Sequence, residues 1–146
     1  MSAFVKLEIR VVIKASTKEA FDAWTKPELM KRWYAPGAMK VPNASANLAI
    51  GGAYSVEMKG EMGGNEVNPT ASGIYKEIIP NELLSFTWAW QDDSSPETLV
   101  TVKFKEVDGG TEVTLIHDRF TSDEARDKHQ HGWQGCLDNL AKFINK

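Results

Sequence analysis

A single cysteine, Cys136, in a chain of 146 residues cannot close an internal disulfide, so nothing points to an oxidising compartment. Basic residues are also in short supply. Lysines and arginines number 17 against 20 aspartates and glutamates, a formal charge of −3, and they are scattered rather than clustered. The electrostatic footprint of a nucleic-acid binder is missing, and nucleic acid is not expected as a partner. No stretch approaches the roughly 20 apolar residues of a membrane span, so the chain is not expected to be membrane-embedded. The opening residues MSAFVKLEIR lack the basic start and unbroken apolar segment of a secretion signal. A cytoplasmic protein is the expectation. No internal repeat or low-complexity linker appears, and the length suits one domain, 1–146, with a core large enough to need no structural metal.

What the chain does contain is a change of hydrophobic period. Val5, Leu7, Ile9, Val11 and Ile13 alternate with Lys6, Glu8 and Arg10, the pattern of a strand with one wet face. Three pairs of the Ser/Thr-x-x-Glu type read as helix starts: Ser16 with Glu19, Thr25 with Glu28, and Thr121 with Glu124. The first predicts a helix bearing Phe21 and Trp24. The second predicts one bearing Leu29, Met30, Trp33 and Tyr34, stopped by APG. From about Val41 to His117 strand-like runs follow, separated by Gly- and Pro-bearing turns, with EMGGNEVNPT as a loop and DGG as the best hairpin turn. Gly51-Gly52 is expected to bend the sheet.

After Thr121 the period is helical to the end. Steps of 100° place Arg126, His129, Trp133, Cys136, Leu137, Leu140 and Ile144 on one face, and His131, Gln134, Asp138, Lys142 and Asn145 on the other. A helix of about 23 residues would span roughly 35 Å, enough to cross a sheet. The expected fold is α+β, in the order β-α-α-β6-α: a curved antiparallel seven-stranded sheet around a long C-terminal helix.

All three histidines lie between His117 and Leu140. His129 and His131 are about 200° apart around the helix, too far to grip one ion, and no Cys or carboxylate at i+4 supplies a third ligand. No metal and no cofactor are expected. His131 points to water, whereas His117 and His129 point inward. For either of the latter alone, a buried neutral imidazole satisfied by a backbone carbonyl is the simpler reading. Arg126, on the same face and near a capped helix start, adds the alternative of an anion-orienting group. It would otherwise pair with a local acid or snorkel to solvent. His117 and Asp118 are strand neighbours whose side chains diverge, so no serine-type triad can be read. Cys136, mid-helix on an apolar stripe, reads as core rather than nucleophile.

The run LLSFTWAW aligns Leu84, Phe86, Trp88 and Trp90 on one face. A packed core could use all four, at roughly 2–3 kcal/mol per buried large side chain. Each Trp also carries an N–H that needs a partner when buried, which suits a cavity mouth. Gly132 reads as a point of close helix approach.

The segments ASTKEAFDAWTKPELMKRWYAPG, IGGAYSVEM, GIYKEIIPNELLSFTWAW, TLVTVKFKEVDGGTEVTLIHDRF and HQHGWQGCLDNLAKFI cover nearly the whole chain. Together they resemble the START-like superfamily and, more narrowly, bacterial homologues of the carboxy-terminal domain of the activator of heat-shock chaperone ATPase. The resemblance implies a helix-grip fold with a mostly apolar tunnel between sheet and last helix. It also implies binding of lipids, polyketides or other apolar molecules, aromatic polyketide cyclases being among the relatives. The positions matching its aromatic and histidine signature are Trp24, Trp33, Trp88, Trp90, His117, His129 and Trp133. The eukaryotic activator carries a separate amino-terminal domain, whereas this sequence opens on a strand, so direct chaperone activation is not the expectation.

Three functions compete. The first is a binding domain for a small apolar or amphipathic ligand, lined by Tyr54, Met58, Trp88, Trp90, Phe120, Trp133 and Leu137, with His117, Arg126 and His129 orienting a polar group. The second is a cyclase or hydratase using His117 or His129 as general base, for which no carboxylate orienter can be placed. The third is a chaperone contact through an exposed apolar patch. Homodimerisation through an edge strand is left open by the sequence.

Overall fold

The computed structural model describes residues 4–62, 64–91 and 96–145. The expected alternation in the first segment gives strand β1, Val5–Ile13, with Leu7, Ile9 and Ile13 buried and the charged residues between them exposed. Two helices follow, α1 (Thr17–Thr25) and α2 (Pro27–Met30), and then β2 (Lys40–Ala46), β3 (Ala53–Met62), β4 (Asn65–Val67), β5 (Thr70–Ile79), β6 (Leu83–Trp90), β7 (Thr98–Val107) and β8 (Gly110–Phe120). The chain ends in α3, Asp123–Ile144.

The strands form one antiparallel sheet in the order β1-β8-β7-β6-β5-β3-β2, a curled seven-stranded path with the long helix against it. The predicted α+β architecture is the observed one. The added element is β4, which pairs with the end of β3 and lies off that path. It occupies what reads in the sequence as a turn-rich loop, because three residues are too few to show a period. DGG makes the hairpin between β7 and β8, with Val107 paired to Gly110 and Gly109 at φ 86°. The second of the two expected bending glycines does meet close backbone: a Cβ on Gly52 would lie 2.1 Å from the Asn47 carbonyl oxygen.

Of the three expected capping boxes, one forms. Ser16 accepts from the Glu19 N–H at 3.1 Å while Glu19 accepts from the Ser16 N–H at 3.0 Å, which starts α1. Thr25 instead closes α1: its hydroxyl donates to the Phe21 carbonyl, and α2 begins at Pro27 with no side-chain cap. Proline at the first position already has the helical φ and lacks the N–H a cap would serve. α2 ends at Met30, and Trp33 and Tyr34 follow in a turn, both still buried. At the last helix the cap is Ser122, one residue beyond Thr121, accepting from Ala125 N–H at 3.1 Å. Replacing Ser122 by Ala is therefore expected to cost about 1 kcal/mol in urea denaturation. Thr121→Ala should stay within about 0.5 kcal/mol. Equal costs would show that the cap is misplaced.

α3, of 22 residues, is about 33 Å long and lies with Trp133, Cys136, Leu137 and Leu140 buried. Its far end is tied down where Asn145 Oδ1 accepts from the Lys14 N–H at 2.7 Å. Strand β8 contains a bulge opposite Lys6, since Leu7 pairs with His117 but Val5 with Phe120. Arg119 takes φ 73° there, and the extra residue turns Phe120 back inward, three positions after buried His117. Strict alternation would have sent Phe120 to solvent.

Candidate functional site

The end of β6 supplies Trp88 and Trp90, and α3 brings Trp133 and His129 down onto them. Trp88 lies with its ring centroid 5.0 Å from that of Trp133 and 5.4 Å from that of Trp90. Behind these rings a closed hydrogen-bond chain runs through His117. The Trp133 indole N–H donates to His117 Nδ1 at 2.9 Å. An indole can only donate, so Nδ1 is the acceptor and the imidazole proton sits on Nε2. Nε2 then donates to the Thr98 hydroxyl at 2.6 Å, and that hydroxyl donates to the Trp88 carbonyl at 3.1 Å. Every proton in the chain has one direction, which fixes a neutral tautomer. Burial pushes the His117 pKa down from 6.5 to about 2, and the neighbouring His129 adds to the shift. The partners are side chains of Thr and Trp rather than the backbone carbonyl expected from sequence.

His129 is held similarly. Its Nδ1 lies 2.8 Å from the Ala125 carbonyl and donates to it, so Nε2 accepts the Trp90 indole N–H at 3.2 Å. The ring is also 4.9 Å from Phe120 and 5.2 Å from His117 between centroids.

Between these groups and the chain opposite is a cavity of about 100 Å³, walled by Met58, Trp88, Trp90, His129, Trp133 and Cys136, by Gly132, and by Pro36, Met39 and Pro69 from loops. Among the described residues no Lys, Arg, Asp or Glu lines it. The Trp88 indole N–H is buried and has no acceptor among the described residues. A second such N–H belongs to Trp24, which sits in the packed rings of Trp33, Tyr34 and Trp133. The Cys136 thiol is pushed well up by burial, so it stays protonated and is a poor nucleophile.

A Cβ added at Gly132 would meet no heavy atom within 4 Å, and Gly132 is part of the cavity wall. Close helix approach belongs instead to Gly135, whose added Cβ would lie 3.1 Å from the Pro36 Cβ and 3.3 Å from the Gly37 nitrogen. Outside the cavity an open groove of about 1210 Å³ runs between the loop at residues 36–39, Gly60 and Glu61 of β3, and the polar side of α3, including exposed His131. Pro36 and Met39 line both spaces. Met39 is packed so closely on Gly60 that a Cβ there would lie 2.6 Å from its Cγ.

The structure brings together five residues proposed from sequence: Met58, Trp88, Trp90, His129 and Trp133. Tyr54 packs in the core against Tyr75 and Phe86, Leu137 is buried in the same core, and His117 and Phe120 form the layer behind His129. Arg126 stands apart. Its guanidinium pairs with Asp127 at 2.7 Å and Asp123 at 3.5 Å, the local acids weighed as its alternative. Sequence reasoning gave Gly132 a packing role rather than a place in the cavity wall, and missed Pro36, Met39 and Pro69. Gly132 lies one turn after His129 and was in principle visible; the loop residues carried no signal.

Residues 14–145 match the family described as Activator of Hsp90 ATPase homolog 1-like protein. No curated protein is matched. Among solved structures, a protein of Chromobacterium violaceum is 20% identical over 97% of each chain, with a TM-score of 0.85. The AHSA1 protein of Silicibacter pomeroyi is 21% identical over 96% of this chain and 97% of its own, with a TM-score of 0.83. An AHSA1-like protein of Aeromonas hydrophila is 25% identical over 96% of this chain and 92% of its own, with a TM-score of 0.75.

Proposed function

The chain belongs to the Activator of Hsp90 ATPase homolog 1-like family, and from that premise we propose that it is a binding domain for a small, neutral, largely apolar molecule carrying one hydrogen-bond acceptor. The observation that carries this reading is the Trp88 N–H, buried without an acceptor among the described residues, beside a cavity into which none of the described charged side chains projects. A desolvated donor left unpaired costs about 1–3 kcal/mol, which a ligand carbonyl or ether oxygen would recover. A charged ligand would be desolvated there with no opposite charge from a described residue to meet it. The fold is compatible with ligand binding, and the aromatic walls supply the apolar contact such sites use.

At about 100 Å³ the cavity is smaller than an engineered one of about 150 Å³ that takes benzene, so a single ring would fill it and press on the loop side chains that separate it from the groove. A longer lipid-like or polyketide-like ligand would have to displace Met39 and run out into the groove. A cyclase or hydratase reading needs an imidazole able to take a proton, and His117 has both ring nitrogens engaged and is held neutral.

The test uses a matched pair, acetophenone and its hydrocarbon isostere α-methylstyrene, titrated against tryptophan fluorescence. Acetophenone should bind about tenfold tighter to the native protein, the value of one hydrogen bond to a buried donor. In Trp88→Phe, which keeps an aromatic ring but removes the N–H, that preference should vanish. Equal affinity of the two probes for the native protein would refute the proposal.

A further inference from the structure

A second concavity lies on the other side of the loop at residues 35–39, at the C-terminal end of α3. It has a volume of about 460 Å³, with Trp33 and Phe143 in its wall and four cations around it, Lys31, Arg32, Lys40 and Lys142. Among the described residues no Asp or Glu lines it, although the chain carries more acids than bases. None of the four cations stands in an ion pair with a described residue.

The walls are fixed before any ligand arrives. Asn139 Nδ2 donates to the Ala35 carbonyl at 2.8 Å and to the Gly37 carbonyl at 2.9 Å, which clamps the loop to α3. The Arg32 guanidinium carbon sits 5.3 Å from the centre of the Phe143 ring, so the cation is held against an aromatic wall. Like charges gathered in one concavity repel each other unless an anion joins them. The carbonyl end of α3 contributes about half a negative charge at this site, and four full positive charges outweigh it.

From this geometry we infer that the cleft binds a small organic phosphate, the phosphate held by the Lys and Arg rim and the organic part resting on the half-buried Phe143 ring. The site is separate from the apolar cavity and does not depend on its ligand. Phosphate suits this rim because Arg offers paired N–H donors to its oxygens and several Lys can share its two charges. The aromatic wall is what distinguishes an organic phosphate from the bare ion.

The experiment is a titration of isotope-labelled protein with phenyl phosphate, inorganic phosphate and benzoate, read by amide and indole NMR shifts at low and high salt. Phenyl phosphate should saturate, with shifts centred on residues 31–41 and 139–143, and should bind more tightly than either of the other two. Raising the salt should weaken it, because the rim charges are exposed. Lys31→Ser with Lys40→Ser should weaken it at least about tenfold. Lys103→Ser with Lys105→Ser, exposed cations on β7 away from the cleft, should leave it unchanged. The inference is overturned if phenyl phosphate fails to saturate, if the β7 pair weakens it as much as the cleft pair, or if benzoate binds equally well.

Discussion

Acidification from pH 6.5 to pH 4.5 is expected to remove roughly 2 kcal/mol of stability through one imidazole, the slope rising toward about 1.36 kcal/mol per pH unit as pH falls below 6.5. The direction follows from proton counting. Unfolded, His117 takes up a proton below its ordinary pKa of 6.5; folded, it refuses one until about pH 2. Above pH 6.5 neither state binds the proton, and this group adds no pH dependence. Below it the unfolded state alone gains protons, so stability falls continuously through the window between the two values. The structural reason is the closed chain from Trp133 through His117 to Thr98 and Trp88. A proton on Nδ1 would meet an indole N–H head-on, in a site with no exposure to water.

Denaturant midpoints at several pH values would measure this, with His117→Gln as the comparison. Glutamine can accept from Trp133 and donate to Thr98, yet cannot titrate. Native protein should lose stability more steeply than the variant by one proton's slope between pH 6 and pH 4.5. The Glu57 carboxyl, lowered by its hydrogen bonds with Asn43 and Asn68, also titrates in acid, but equally in both proteins. Parallel curves would mean that the imidazole accepts its proton in the folded state.

This same chain explains what could be read from sequence and what could not. Leu7, Ile9, Tyr54, Val56, Met58 and Trp88 fell on their predicted faces because alternation is a local property of a strand. The buried stripe Trp133, Cys136, Leu137 and Leu140 followed equally from helical phase. His117 was legible as inward-facing but not as sealed, since its partners Thr98 and Trp133 come from β7 and α3, 19 and 16 positions away. The bulge at Arg119, set by pairing with β1, reverses the phase for Phe120. The caps slipped where Pro27 and Ser122 offered helix starts that competed with Thr25 and Thr121. The cavity was the least legible feature. Part of its wall lies in loop residues such as Pro36 and Met39, which no periodicity reports, and in a glycine that signals by having no side chain.

That glycine provides the sharpest test of whether the cavity is a site. Gly132→Leu is expected to abolish acetophenone binding, a loss of at least about a hundredfold, while leaving the protein as stable as before or more so. Glycine within a helix costs about 1 kcal/mol relative to alanine, and a Cβ here meets nothing within 4 Å, so Gly132→Ala should stabilise by nearly that amount. The leucine branch then enters a space bounded by Trp88, Trp90 and Cys136 that is otherwise unfilled, replacing lost contacts with dispersion and apolar burial. A cavity that served only as a packing defect would be healed by this change with no consequence for binding. A cavity retained for a ligand should trade affinity for stability at this one residue. Gly135 supplies the control: its Cβ would press on Pro36 and Gly37, so Gly135→Leu should destabilise the fold by crowding. If Gly132→Leu raises the melting temperature yet still binds acetophenone with native affinity, the probe sits elsewhere and the proposed pocket is only a gap in the core.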